Sequence, residues 1–319
     1  MTHKLKLLYL TIVFLCIQPY YLKSQERSRE IGIQTDNDAY LWYGQDRYYT
    51  NGLFIFYRQS MDQSKLEGKK LHKIIYEVAV GQEMYNPYSG YAPTRMLHDR
   101  PFAGHLFAKG QLNLFYTNEQ VLKVGLSLGT VGPNALAQQA QELLHRTFGF
   151  YYPDGWDGQI GNAVAVNLQS TYATLLFRAK NEFDISLEGH LNVGTTFSNV
   201  GIGPLFRIGN INPLYQSAHY NATISRNSSI PKRDKHEFYL YAKPQLRYVA
   251  YDATVQGSLF TNNSPLTFDM RPLVFEQKIG INHSSARFTI DYALTFRSKE
   301  IKSPARHHQY GSISSFYRF

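Results

Sequence analysis

The sequence predicts an all-β fold: a transmembrane antiparallel β-barrel of about twelve strands, with a short helix in one extracellular loop. Three observations carry that expectation. Apolar and polar residues alternate with period two, as in Phe183, Ile185, Leu187, Leu191 and Val193 against Asp184, Ser186, Glu188, His190 and Asn192. The N-terminus reads as an export signal, and the chain after it contains no cysteine. The chain stops on Phe319, closing the alternating stretch Phe316-Tyr317-Arg318-Phe319. A terminal Phe of this kind resembles the sorting signal of bacterial outer-membrane barrels. A soluble sandwich would also alternate, but on shorter strands. Long strands, apolar on one face and charged on the other, fit a wall with lipid outside and a polar lumen inside. The 25 Tyr and 20 Phe can supply its interfacial girdles.

The signal occupies residues 1–24. Lys4 and Lys6 form its basic start, and Leu7 to Ile17 is an apolar run too short to span a bilayer. Cleavage is expected after Ser24, leaving residues 25–319 as a single barrel domain. A lipoprotein reading would use Cys16, but Leu15 before it is not small. Cys16 is the only cysteine, so the mature chain has no disulfide or thiolate metal site. No later segment has eighteen consecutive apolar residues, and the mean hydropathy of −0.35 does not suit a helical membrane protein. Formal charge is +9, and loss of Lys4, Lys6 and Lys23 lowers it to +6. With no dense Lys/Arg run interleaved with aromatics, that charge points to an anionic lipid surface rather than nucleic acid.

The pattern places strands at 27–37, 50–60, 71–84, 102–116, 120–131, 162–178, 183–197, 199–210, 236–251, 271–283, 285–297 and 308–319. Tight turns are expected at Asn118-Glu119 and near Ser198-Asn199, and long connections at 85–101, 132–161, 211–235 and 252–270. In such barrels short turns face the periplasm and long loops the outside. Counting from the first strand puts 85–101 and 132–161 outside, beside the Asn37/Asp38 and Thr50 strand ends. The same count puts the long 211–235 in the periplasm, so the strand assignment between 183 and 235 is where the scheme conflicts with itself.

Within 132–161, Pro133 to Phe148 reads as an amphipathic helix, with Asn134 as N-cap after Gly132-Pro133 and Gly149 as terminator. Leu136, Ala140, Leu143 and Leu144 make an apolar face, and Gln138, Gln141 and His145 fall on a neighbouring one. The first hairpin concentrates polar groups: Thr35-Asp36-Asn37-Asp38 ends one strand, and Asp46-Arg47-Tyr48-Tyr49-Thr50-Asn51-Gly52 opens the next. Asn, Asp and Gly are ordinary turn residues. Carboxylate, amide and hydroxyl oxygens together also suit a hard cation such as calcium, although another divalent ion has the same preferences. A helix in an external loop lies near the top of the wall, where that hairpin ends. Histidine beside an oxygen-bound cation would suffice for ester hydrolysis, the imidazole taking a proton from water while the cation polarises the carbonyl. A lone His is more often a packing or surface residue, so His145 rests on that geometry.

Together these motifs resemble the outer-membrane lipid A 3-O-deacylase family, the LpxR type. The resemblance is carried by Asn37-Asp38; Asp46-Arg47 and Tyr49-Thr50-Asn51-Gly52; Tyr85-Asn86-Pro87; Asp99-Arg100-Pro101-Phe102-Ala103-Gly104; Gly132-Pro133, Gln141, His145-Arg146 and Gly149; and Trp156, Gln159 and Asn162. These cover the first half of the mature chain. The resemblance implies a twelve-stranded barrel with its active site between the outer wall and the loop helix. It implies calcium-dependent hydrolysis of the 3′ ester of lipid A, releasing an acyloxyacyl group. By position His145 would be the general base and Asp38 would bind the cation, with Asn37 and Thr50 completing the polar shell or orienting water. Arg95 or Arg100 would meet a lipid A phosphate. The partners are then lipid A or lipopolysaccharide and the outer membrane itself, with the chain acting as a monomer. One departure stands out. The best-known family members carry a Glu soon after the helix, where this chain has Tyr151, so either a neighbour such as Asp154 or Asp157 takes the role of charge partner or activity is altered.

Two rivals belong to other classes. A Ser–His phospholipase could draw on Asn282-His283-Ser284-Ser285, but neighbouring residues on a strand point to opposite faces. A structural, channel or adhesion barrel, or an inactive relative, would leave the ordered motifs at 36–52 and 132–162 without a task. His307-His308 lacks a third ligand nearby, and His219 stands alone in a loop.

Overall fold

The computed structural model describes residues 26–41, 46–230 and 236–319. The signal segment, Cys16 and the cleavage point after Ser24 lie outside the described residues. Twelve antiparallel strands close into one barrel: β1 (Arg29–Asn37), β2 (Tyr48–Ser60), β3 (Leu71–Asn86), β4 (Ala103–Tyr116), β5 (Gln120–Val131), β6 (Ala163–Ala179), β7 (Phe183–Gly194), β8 (Phe197–Asn210), β9 (Glu237–Asp252), β10 (Leu273–Ser284), β11 (Phe288–Arg297) and β12 (His308–Arg318). Each strand pairs with its sequence neighbours, and β1 pairs with β12 from Glu30↔Arg318 to Asn37↔Gly311.

Alternation does the sorting. Ile31, Ile33, Ile55, Val78, Val80, Leu126 and Leu128 are exposed on the outer wall, while Glu30, Arg58, Glu77 and Arg207 are buried inside. This inversion of a soluble protein suits a wall standing in lipid. Inside the barrel Arg58 bridges Glu30 (2.8 Å) and Glu77 (2.5 Å), and Arg207 meets Asp184 (2.6 Å). The seam is locked by Arg318, whose guanidinium donates to Glu30, Thr223, Thr289 and the carbonyls of Ser285 and Phe288.

The conflict at 183–235 resolves in favour of the strands. β7 and β8 lie close to their sequence-derived positions, but the tight turn is at Thr195-Thr196, and Ser198/Asn199 is a register shift inside β8. Residues 211–225 are indeed periplasmic and long, because they fold back into the barrel as a plug. Ile211, Leu214, Tyr220, Ala222 and Ile224 pack with inward residues of the wall, among them Ile75, Phe115, Val121, Leu205 and Tyr239. Polar ties hold the plug. The Glu237 carboxylate accepts from Asn212 N–H (3.0 Å), Ser217 Oγ (2.9 Å) and Ala218 N–H (2.7 Å), and Lys73 Nζ donates to the Ala222 carbonyl (2.7 Å). His219 therefore sits inside the barrel. On β10, His283 is exposed and Ser284 buried, the opposite-face placement that denies them a dyad.

Candidate active site

The site is built where β1 ends and β2 begins. Parity sends Asp36 into the lumen, where Tyr49 Oη donates to it (2.7 Å), and Asn37 outward, where its amide donates to Asn51 Oδ1 (2.5 Å). Asp38 then opens a 3-10 turn, Asp38–Leu41, and is buried. Strict alternation would turn Thr50 inward. A bulge between Tyr49 and Asn51 prevents this. Tyr49 is turned into the lumen instead, and Thr50 and Asn51 both join the outer cluster, a typical use of a bulge to re-aim a side chain.

Asp46 is the hub. Its Oδ2 accepts from Gln141 Nε2 (2.9 Å) and Tyr151 Oη (2.6 Å) and faces His145 Nε2 (3.1 Å). Its Oδ1 accepts from Asn86 Nδ2 (2.9 Å) and contacts the Thr50 hydroxyl. The same hydroxyl lies 3.3 Å from Asp38 Oδ1, and Asp38 Oδ2 accepts from Arg47 N–H (2.8 Å). Burial pushes the Asp38 carboxyl up to about 8, and the charge of Asp46 adds to the rise. Burial would raise Asp46 too, but hydrogen bonds from His145, Thr50 and Tyr151 hold it below the usual range. His145 goes up: burial opposes its charge, but the bond to Asp46, the Tyr151 carbonyl and the Asp46 charge prevail.

The outer insertion supplies the other half. It is not one continuous helix. Pro133–Ala135 is a 3-10 turn, Leu136 takes a left-handed conformation (φ 56°), and α1 runs from Ala137 to Phe148. Asn134 is therefore not the N-cap; its N–H donates to Asn162 Oδ1 (2.8 Å) instead. Gly149 (φ 76°) ends α1, its N–H bonding to the His145 carbonyl. The buried stripe is Ala137, Gln141 and His145, four residues apart. Ala137 can sit on β4 because residue 104 is glycine: a Cβ there would stand 2.6 Å from the Ala137 methyl. Gln141 is fully buried and also accepts from Trp156 Nε1 (2.8 Å), so its orientation is fixed. His145 Nδ1–H donates to the Tyr151 carbonyl (2.6 Å), which leaves Nε2 facing Asp46. Gly90 covers this centre: a Cβ there would lie 2.3 Å from Tyr151 Oη and 2.7 Å from Asp46 Oδ2. Leu143, Leu144, Phe148 and Phe150 are exposed, continuing the apolar outer wall.

His145, Asp38, Thr50 and Asn37 thus come together. The two arginines do not join them. Arg95 is exposed at the rim, 3.7 Å from the equally exposed Asp157. Arg100 is buried, donates to Thr254 Oγ1 (2.6 Å) and stacks over the Tyr85 ring at 4.2 Å. Its guanidinium lies between the outer loops and the lumen, away from the surface. The expected substitutes for the missing Glu are also elsewhere. Asp157 faces Arg95, and Asp154 bridges to Tyr91 through the backbone. The carboxylate at His145 is Asp46, which in the sequence is one of several polar groups of the first hairpin. Gln141 and Asn86 stand in the sequence only as motif residues, and the fold brings both to Asp46.

The donor set fits a hard divalent cation. Asp38 and Asp46 are two buried carboxylates flanking one hydroxyl, and no Lys or Arg side chain pairs with either of them among the described residues. Among those residues no three His, Cys, Asp or Glu side chains form a ready-made metal cage. Hydroxyl, amide, carbonyl or water oxygens would complete the shell, as calcium tolerates.

The sequence model of a family described as "Outer membrane protein LpxR" matches residues 7–319. Among solved structures, LpxR from Salmonella typhimurium is similar over 91% of this chain and 100% of that one, with a TM-score of 0.74 and 20% identity. That likeness is one of fold. The β domain of the Bordetella autotransporter BrkA aligns over 92% of this chain and 100% of its own at a TM-score of 0.45 and 10% identity. No curated protein sequence matches.

Proposed function

Since the chain belongs to the LpxR family of outer-membrane proteins, we propose that it hydrolyses the 3′-linked acyloxyacyl ester of lipid A, with His145 as general base and calcium at Asp38. The observation that carries this reading is the contact of His145 Nε2 with Asp46 Oδ2 (3.1 Å) beside Asp38, on the outer wall of a barrel whose apolar face meets lipid. A polar cluster there is expensive unless it has a task.

The chain's own groups divide the work. The Tyr151 carbonyl holds Nδ1–H of His145, so Nε2 exchanges the proton. Nε2 takes a proton from water as the oxygen attacks the ester carbonyl, and returns it to the departing sugar 3′ oxygen as the tetrahedral intermediate collapses. Asp46 balances the imidazolium formed between those steps, and Gln141, Tyr151 and Asn86 hold Asp46 in place. Asp38, Asp46 and Thr50 would hold calcium, with Asn37 orienting the neighbouring Asn51 amide; the ion, when bound, supplies polarisation of the carbonyl and of the oxyanion. Arg95, at the rim with one exposed partner, is available to a phosphate of the glucosamine backbone.

The test is mass spectrometry of lipid A from outer membranes containing the protein, with calcium and with a chelator, beside His145→Ala. Loss of a 3′-linked acyloxyacyl mass that needs both calcium and His145 is expected. Unchanged lipid A with folded, calcium-replete protein overturns the reading.

A further inference from the structure

The barrel encloses a second polar space, independent of the outer site. A chamber of about 520 Å³ lies above the plug, with Ala218, His219 and Tyr220 in its lining. It extends as far as Asn192, two residues from the outer end of β7. Seven cationic side chains line it against four carboxylates. Most pair off: Arg58 and Lys109 with Glu77, Lys243 with Glu188, and Arg247 and Arg297 with Glu276. Lys123 and Lys278 enter no ion pair among the described residues, though both project inward from β5 and β10. Two further donors in the lining are buried without an acceptor, Gln245 Nε2 and Arg247 Nε. The surplus is therefore of donors and positive charge together. Buried donors and charges without partners are costly, and an oxyanion satisfies both at once.

We propose that this chamber binds a small phosphate-type oxyanion, held by Lys123 and Lys278 with Gln245 and Arg247 as hydrogen-bond donors. The volume has room for either inorganic phosphate or a soluble sugar phosphate, and the two share the recognised group.

The test is isothermal titration of the full-length protein in detergent micelles at constant ionic strength. Inorganic phosphate, glucose 6-phosphate and chloride are compared. One phosphate site per chain is expected, weakened at least about ten-fold in Lys123→Gln/Lys278→Gln and kept in Lys123→Arg/Lys278→Arg. Heat-modifiable gel migration reports that each variant is folded, and lipid A hydrolysis per folded chain should not change. Binding of phosphate alone identifies the free ion as the ligand; binding of both identifies the phosphate group. No binding by the unsubstituted chain, heats equal to those with chloride, or affinity untouched by the double glutamine variant overturns the proposal and leaves a chamber of water and chloride. If the glutamine pair does not fold, a phosphate-dependent rise in the melting temperature of the unsubstituted protein over chloride decides the same question.

Discussion

Two long insertions leave the same wall and treat their apolar residues in opposite ways. The periplasmic one, 211–225, turns Ile211, Leu214 and Ile224 inward and hides them inside the barrel. The outer one, 132–162, turns Gln141 and His145 inward and leaves Leu143, Leu144 and Phe148 exposed. In water the second arrangement would be inside out. Against a bilayer it is the stable one, because the apolar medium lies outside the wall. The difference separates tasks. One insertion makes an apolar plug that Glu237 and Lys73 tie to the wall. The other brings a histidine and a buried amide against Asp46, which like Asp38 has no Lys or Arg side-chain partner among the described residues.

The largest break in this contrast should come from Asp46→Asn. It keeps the shape but removes the charge that steadies the His145 imidazolium and one of two carboxylates for the cation. Lipid A hydrolysis should fall roughly 10³-fold, the scale of a lost acid–base partner, with heat-modifiable migration unchanged. Retention of more than a tenth of the rate would remove Asp46 from the centre of the site.

Glu237→Ala asks the reverse. Three donors of the plug, Asn212 N–H, Ser217 Oγ and Ala218 N–H, lose their acceptor inside the barrel. Stability in urea should drop by roughly 3 kcal/mol, while hydrolysis per folded chain stays the same. A matching fall in activity would mean that plug and site are coupled through the wall.

Much of this architecture is legible in the sequence because a strand repeats every two residues. That parity alone sets Asp184 and Glu188 inside and Leu191 and Val193 outside. What escapes is whatever breaks the period. The bulge at Thr50 has no residue signature, so the hydroxyl's outward aim is visible only in the pairing register. Leu136 in a left-handed conformation splits a helix that reads as continuous from Pro133. The plug looks like a misplaced loop, because nothing local to 211–225 says that its apolar residues meet Phe115 and Val121, about a hundred residues away. Arg100 belongs to the same class: its motif is plain, but its partner Thr254 is distant in sequence.

The exposed face of α1 offers a smaller effect. If Leu143 and Leu144 rest against the bilayer, Leu143→Asn/Leu144→Asn should lower hydrolysis of membrane-embedded lipid A about ten-fold, since each buried leucine contributes roughly 1.5–3 kcal/mol and only part is lost at an interface. A short-chain soluble ester assayed in the same preparation should be hydrolysed at an unchanged rate. Equal losses on both substrates would place the leucines in the site's own packing.

The smallest effect is expected at Tyr151, where two functions of one residue can be separated. Its carbonyl orients His145, and its hydroxyl donates to Asp46 Oδ2 (2.6 Å). Burial and the Asp46 charge push the phenol far up, so it stays a donor throughout the working range. Tyr151→Phe removes one of several hydrogen bonds to Asp46 and keeps the carbonyl, so the rate should fall only about three-fold. Tyr151→Glu is the sharper comparison. It places there the Glu that the resemblance implies, but sets a third carboxylate beside Asp38 and Asp46 under the close cover of Gly90. If Asp46 has taken over as charge partner, the new Glu is redundant and repelled, and hydrolysis should drop below that of the phenylalanine variant. A rate above that of the unsubstituted chain would instead make Tyr151 a brake on an otherwise complete site.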